Sequence, residues 1–126
     1  KGDISKFLSC DSTDFHGFGE LYFTSVHPNT IKGWNMHKKA ICKVIVVRGE
    51  VEIITTSTIS CSAVFNSFLL SENNLSVLTI PSKNWFAFKG SKEKNILMNF
   101  SNYKHHPKET CKKEFTNEHE KHYLKK

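Results

Sequence analysis

The sequence predicts an all-β sandwich or barrel, and three observations carry that expectation. About seven short runs rich in aromatic and β-branched residues recur at intervals near ten residues. Gly, Asn, Ser and Pro punctuate them, and a single stretch near the C-terminus has helical character. Short strands separated by turn residues at this interval are the sequence signature of sandwiches and barrels.

The first run, ELYFTSV (20–26), alternates in part between apolar and polar residues. IKGWNMHKK (31–39) follows and is read as a strand leading into a hairpin. The hairpin consists of KVIVVRG (43–49) and EVEIITT (50–56), joined at Arg48-Gly49. AVFNSFLL (63–70) and SVLTIP (76–81) come next, separated by the turn cluster SENN. WFAFKG (85–90) and KNILMNFS (94–101) complete the set, and EFTNEHEKHYL, after Pro107, is expected to form a short C-terminal helix. Phe65, Phe68, Phe86, Phe88 and Phe100 are expected to fill the core. Trp34 and Trp85 sit at strand edges beside polar residues, positions from which an indole lines a pocket.

At 126 residues the chain is read as one domain, residues 1–126, able to bury about two-thirds of its unfolded surface. Its 38% hydrophobic and 12% aromatic content argues against disorder. The longest aliphatic run, Val44–Val47, is far short of the roughly 20 residues of a membrane span. With no apolar block before a cleavage site, a cytoplasmic protein is expected. Cys10, Cys42, Cys61 and Cys111 show no C-x-x-C spacing, so free thiols are expected rather than a metal finger.

The net charge is +6, yet Arg48 is the only arginine among the basic residues. Readout of base edges and bidentate phosphate clamps favour arginine, so nucleic acid is not the expected partner. A negatively charged small ligand suits the charge equally well.

Asn35 and His37 are two residues apart, and on a strand they share a face. If that face is the barrel interior, both look into one cavity. A metal site would need further ligands from neighbouring strands, where the chain offers Asn35, Cys42 and Phe86, so no metal centre is expected. Proton transfer remains open to His37, with Tyr103 as a second group and His105 and His106 beside it. Lys32, Lys38 and Lys39 flank the His37 strand, where an ammonium can neutralise a diphosphate or steady an enolate.

Four blocks, IKGWNMHKK, VVRGEVEII, LTIPSKNWFAFKG and ILMNFSNYKHHPKE, resemble in order and spacing the short cupin proteins related to dTDP-4-dehydrorhamnose 3,5-epimerase. The resemblance runs from about residue 19 to 109. It implies a double-stranded β-helix, the jelly-roll or cupin barrel, usually dimeric. It further implies action on nucleotide-linked 4-keto-6-deoxyhexoses in surface polysaccharide biosynthesis, without metal or other cofactor. In that family a base removes the proton beside the C4 ketone and a tyrosine returns a proton from the other face. Related 3,4-ketoisomerases carry an H-x-H pair in this strand, and His37 falls on its second histidine.

The chain departs from the family at informative positions. Asn35 stands where the epimerases keep their catalytic histidine, and the supporting acid falls near Ser57-Thr58. Lys83-Asn84-Trp85-Phe86 replaces the family's G-x-x-H. What carries over is Gly33, His37, Arg48-Gly49, Pro81, Trp85, Tyr103 and the basic Lys32. The resemblance therefore assigns catalysis to His37 and Tyr103, and substrate binding to Lys32, Trp34, Asn35, Lys39, Arg48 and Trp85. A homodimeric isomerase is expected; the alternative is a sugar-nucleotide-binding or regulatory cupin that lacks the epimerase His-Asp dyad.

Overall fold

The computed structural model describes residues 1–60, 62–114 and 116. These contain β1 (Glu20–Val26), β2 (Ile31–His37), β3 (Cys42–Arg48), β4 (Glu50–Thr56), β5 (Asn66–Ser71), β6 (Leu78–Ile80), β7 (Trp85–Gly90), β8 (Asn95–Ser101) and β9 (Thr110–Lys112). They pair antiparallel into a four-stranded sheet, β1-β8-β3-β6, and a five-stranded sheet, β5-β4-β7-β2-β9. This is the all-β jelly roll that the sequence predicts.

One expectation is corrected by local packing, and another falls where the structure does not test it. β5 starts at Asn66 rather than 63, because Ala63 and Phe65 leave the ladder to bury themselves against the outer face of the five-stranded sheet. The helix expected over 114–124 lies almost wholly outside the described residues, and the stretch just before it pairs as β9 with β2.

The alternation of β8 shows how the sequence builds the barrel. Asn95, Leu97, Asn99 and Ser101 are buried and face inward, while Ile96, Met98 and Phe100 lie half-buried on the outer face. β3 is buried from Cys42 through Val46 because its outer side is covered as well. The N-terminal segment lies over it, with Phe7, Leu8 and Phe15 beside Lys43 and Ile45. The buried Lys43 ammonium donates to Asp14 Oδ2 and Thr79 Oγ1, each at 2.8 Å, so its charge is paired.

Between the sheets lies a core that includes Val26, Val44, Val46, Val51, Ile53, Leu97 and Phe88. A second cluster sits on the outer face of the five-stranded sheet, where Trp34, Ile54, Ala63, Phe65 and Ala87 pack together. Burying a side chain such as Phe65 there stabilises by about 1.5–3 kcal/mol. Phe68 and Phe100 do not join either buried core: Phe68 is 40% exposed on β5. Phe100 instead meets Phe15 and Phe18 on the outer surface.

One end of the barrel is plugged by Asn95. Its Oδ1 accepts from Glu50 N–H at 3.1 Å and Ser91 Oγ at 2.8 Å, and its Nδ2 donates to Glu93, Ser91 and Val26 carbonyls. Those bonds tie the β3–β4 and β7–β8 turns to the end of β1. The cavity opens at the opposite end.

Candidate functional site

The register places Glu20 opposite Ser101, and Ser101 opposite Cys42, at the end of the barrel away from Asn95. A cavity of about 370 Å³ opens there, within the range of small-molecule sites. One wall comes from the five-stranded sheet through Lys32, Asn35, His37, Phe86 and Phe88. The facing wall comes from β1 and β8 through Glu20, Tyr22, Thr24, Asn99 and Ser101. Tyr103, Lys104 and His105 lie past the end of β8, and Glu109, Thr110 and Lys112 close the side next to β9.

Strict alternation would put Lys32 on the face opposite Asn35 and His37. The β2–β7 register instead slips between Gly33 and Asn35, so that Lys32 opposes Phe88, Gly33 opposes Ala87 and Asn35 opposes Phe86. A β-bulge of this kind inserts one residue and re-aims its neighbours. Trp34 is the extra residue, and Lys32, Asn35 and His37 therefore all line the cavity. Gly33 is required by closeness: a Cβ there would lie 2.5 Å from the Ala87 Cβ.

His37 is half-buried at the end of β2. Thr110 Oγ1 lies 3.2 Å from its Nδ1, and the Phe86 ring lies 5.6 Å away, centroid to centroid. Burial pulls the imidazole below its ordinary pKa, opposed by the Glu109 carboxylate. The ring is thus neutral at pH 7 and able to accept a proton. Burial also pushes Glu109 upward, but bonds from the Ala40 and Lys39 N–H groups, at 2.6 and 2.7 Å, and the nearby His37 leave its carboxyl below the usual range.

Two phenols line the same cavity as His37. Tyr22 projects from β1 into the cavity, and burial pushes it up to about 12, with Cys42 and Glu20 adding to the effect. It is a neutral O–H donor at pH 7. Tyr103 lines the mouth on a loop fixed through Ser101, whose Oγ donates to the Tyr103 carbonyl at 2.9 Å and accepts from its N–H at 3.3 Å.

The structure gathers Lys32, Asn35, His37 and Tyr103 in one cavity, and it separates the other candidates from them. Trp34 is 1% exposed and stacks on Phe65, with ring centroids 5.7 Å apart, on the outer side of the sheet. Trp85 follows it there because it alternates with the inward Phe86, and the Lys113 ammonium covers its ring at 5.3 Å. Arg48 lies at the Asn95 end, opposite Ile96. Lys39 lines an adjoining depression that shares Tyr103, Lys104 and Glu109 with the cavity. Phe86 and Phe88 serve the core and the cavity wall at once.

Sequence reasoning passed over Tyr22, Thr24, Asn99, Glu109 and Thr110. For the first three a signal existed, since each is a polar residue at an inward position of an alternating strand. Among the described residues, no group of three or more His, Cys, Asp or Glu stands together as a metal site. Cys10, Cys42 and Cys111 are free, and burial pushes the Cys42 thiol up to about 11. No described helix is long and apolar enough to cross a membrane.

This double-stranded β-helix, the class that the fold defines, is shared with several solved structures. A dTDP sugar isomerase from Desulfovibrio desulfuricans G20 superposes with a TM-score of 0.79 at 23% identity, covering 88% of this chain and 74% of that one. The dTDP-4-dehydrorhamnose 3,5-epimerase from Bacillus anthracis, with TDP and PPi bound, gives 0.69 at 16% identity, covering 77% and 59%. The capsular polysaccharide assembling protein CapF from Staphylococcus aureus gives 0.67 at 18% identity, covering 75% and 26%. The chain thus spans little more than half of the Bacillus epimerase and about a quarter of CapF. Neither a protein-family model nor a curated protein matches the sequence.

Proposed function

We propose that the chain admits a nucleotide-linked 4-keto-6-deoxyhexose to this cavity and moves protons on the carbons beside its ketone, as an epimerase or ketoisomerase. The observation that carries the reading is one neutral imidazole, His37, lining a single cavity together with the phenols of Tyr22 and Tyr103. His37 takes the proton from the carbon next to the C4 ketone, and the electron pair moves into an enolate. The Lys32 ammonium and the Asn35 amide donate to the enolate oxygen, where charge develops. A proton returned by Tyr103 from the other face inverts the carbon, whereas rearrangement through the enediol shifts the ketone. Tyr22 is the other phenol in reach of this role. These steps run on side chains alone.

Lysines at the rim, Lys39 and Lys104 among them, suit the diphosphate of such a ligand. The likeness in fold to CapF supports a place in surface polysaccharide synthesis. We further propose a cytoplasmic homodimer, with a second copy packing along the exposed β1 edge of the four-stranded sheet, beside the N-terminal segment.

The sequence resemblance favours a binding role without catalysis, since it puts Asn35 where the epimerases keep their base, and an amide cannot act as one. Incubation with a dTDP-4-keto-6-deoxyhexose in D₂O separates the two readings. Deuterium at C3 or C5, abolished by His37→Ala, is the result expected of an isomerase. Measurable dTDP binding with exchange no faster than in buffer would sink the catalytic reading and leave the binding one.

A further inference from the structure

The two ring nitrogens of a neutral histidine are not equivalent, and the partner of one decides what the other can do. At His37 the Nδ1 side is occupied by β9. Thr110 lies opposite His37 in the β2–β9 register, with its Oγ1 3.2 Å from Nδ1. Glu109, the residue before that strand, holds the backbone on the C-terminal side of the ring. Lys38 N–H donates to the Glu109 carbonyl at 2.9 Å, and Glu109 Oε1 accepts from the N–H groups of Lys39 and Ala40. Lys83 N–H donates to the His37 carbonyl at 2.7 Å, and Phe86 lies beside the ring. Backbone and ring are both fixed, and what remains to be set is where the ring proton sits.

We propose that Thr110 is the positioning residue of His37: its hydroxyl accepts Nδ1–H, which leaves the Nε2 lone pair turned to the cavity as the basic atom. A hydroxyl can accept as well as donate, so the partner alone does not choose the direction. The site does: Thr110 covers Nδ1, and a base needs its free lone pair on the cavity side, so the hydroxyl is assigned as acceptor. The Glu109 carboxylate, held by the Lys39 and Ala40 N–H groups, favours the charged ring that results. The other titratable groups that act on the ring are Glu20, from β1 across the cavity, and His105, from the loop after β8. When Nε2 takes a proton, the Thr110 oxygen continues to accept from Nδ1–H, so the imidazolium is held in the same orientation.

The inference rests on His37 being the group that moves the proton, but its main test does not require turnover. Long-range ¹H–¹⁵N correlation of the His37 ring, in uniformly labelled protein well above pH 7, reports which nitrogen carries hydrogen. A protonated Nδ1 with a bare Nε2 is expected in the wild type. Thr110→Ser should keep that pattern, and Thr110→Val should shift it toward Nε2–H. A wild-type ring protonated at Nε2 overturns the proposal without any variant, and so does a Thr110→Val ring identical to the wild type. In the deuterium-exchange assay, Thr110→Val should lose about 10- to 100-fold in kcat with KM little changed, the scale of a misplaced catalytic group. Absence of exchange in the wild type would remove the isomerase reading and leave the tautomer assignment standing.

Discussion

Gly19 lies against the backbone of Tyr103, so closely that a Cβ on Gly19 would stand 2.5 Å from both the Tyr103 Cα and its nitrogen. The contact is with main chain, which cannot swing aside as a side chain can. The loop itself is tied down: Gly19 N–H donates to the Ser101 carbonyl at 2.7 Å, and Ile41 N–H donates to Asn102 Oδ1 at 2.7 Å. Gly19→Ala must therefore push the Tyr103 loop away from the mouth. The expected cost is about 1–3 kcal/mol, the range for an overpacked site. Thermal unfolding should register it, and deuterium exchange into the sugar should fall in the same variant. An alanine variant that melts and exchanges like the wild type would show that Tyr103 does not depend on this contact.

His37 gives a pH signature. Burial holds its pKa below the ordinary 6.5 in the folded protein. As the pH falls below 6.5, the unfolded chain takes up a proton that the folded chain does not, so stability drops with pH until the folded value is passed. The contribution is complete above 6.5 and is lost on the acid side. His37→Gln should flatten that part of the stability profile. Glu109→Gln keeps acceptors for the Lys39 and Ala40 N–H groups while removing the charge that favours the imidazolium, so it should lower the His37 pKa further. Titration of the His37 ring protons by NMR reads both effects, and a rise in Glu109→Gln would contradict the electrostatics described above.

Most of the barrel was legible because alternation and turn residues act locally. EVEIITT and WFAFKG read as strands and form β4 and β7 with those bounds. The shared face of Asn35 and His37 followed from their spacing, and the structure turns that face to the cavity. Lys32 was assigned by the resemblance, but the reason it reaches the cavity is the bulge at Trp34, and a bulge depends on the β7 partner rather than on the strand's own residues. The same slip sends Trp34 outward, against the expectation of a pocket-lining indole. β9 was invisible for a different reason: TCK carries no strand signal of its own, and its pairing brings Thr110 to a histidine 73 residues away. Glu109 and Thr110 could not be found without that long-range pairing.

Asn95 is the polar residue whose loss the fold should tolerate least. It is fully buried, and its amide satisfies donors and acceptors from two turns and the end of β1. Gly49 and Gly90 are pressed against it, with a Cβ at either standing 2.5 or 2.6 Å from its side-chain amide atoms. Asn95→Ala leaves the Glu50 N–H and several carbonyls without partners in a dry site, for an expected loss of about 3 kcal/mol. Asn95→Asp should be no milder, since it keeps the acceptors but buries a charge and removes the donors. Urea unfolding checks this, with the midpoint falling and the slope unchanged. A midpoint within error of the wild type would mean that solvent reaches this end of the barrel.

Phe23 tests the proposed homodimer. Among the described residues β1 pairs with β8 on one side only and is an edge of its sheet, with the Tyr22 and Val26 carbonyls accepting from the Asn99 and Asn95 side chains. The outer face next to that edge is apolar in register, Phe23 opposing Met98 and Leu21 opposing Phe100, and the N-terminal segment covers only its part toward β3. Phe23 is 64% exposed, as is Phe18, and Leu21 is 47% exposed. Adjacent large side chains beside a strand edge form the surface that a second copy would cover. Phe23→Glu leaves the interior untouched, because its side chain points away from the barrel, but it puts a charge where the partner would pack. A buried anchor of this kind is worth about 2 kcal/mol or more, so the dimer Kd should rise about thirtyfold or more. Sedimentation of wild type and variant at micromolar concentration decides it: a wild-type chain that stays monomeric would mean that this face meets solvent or another protein.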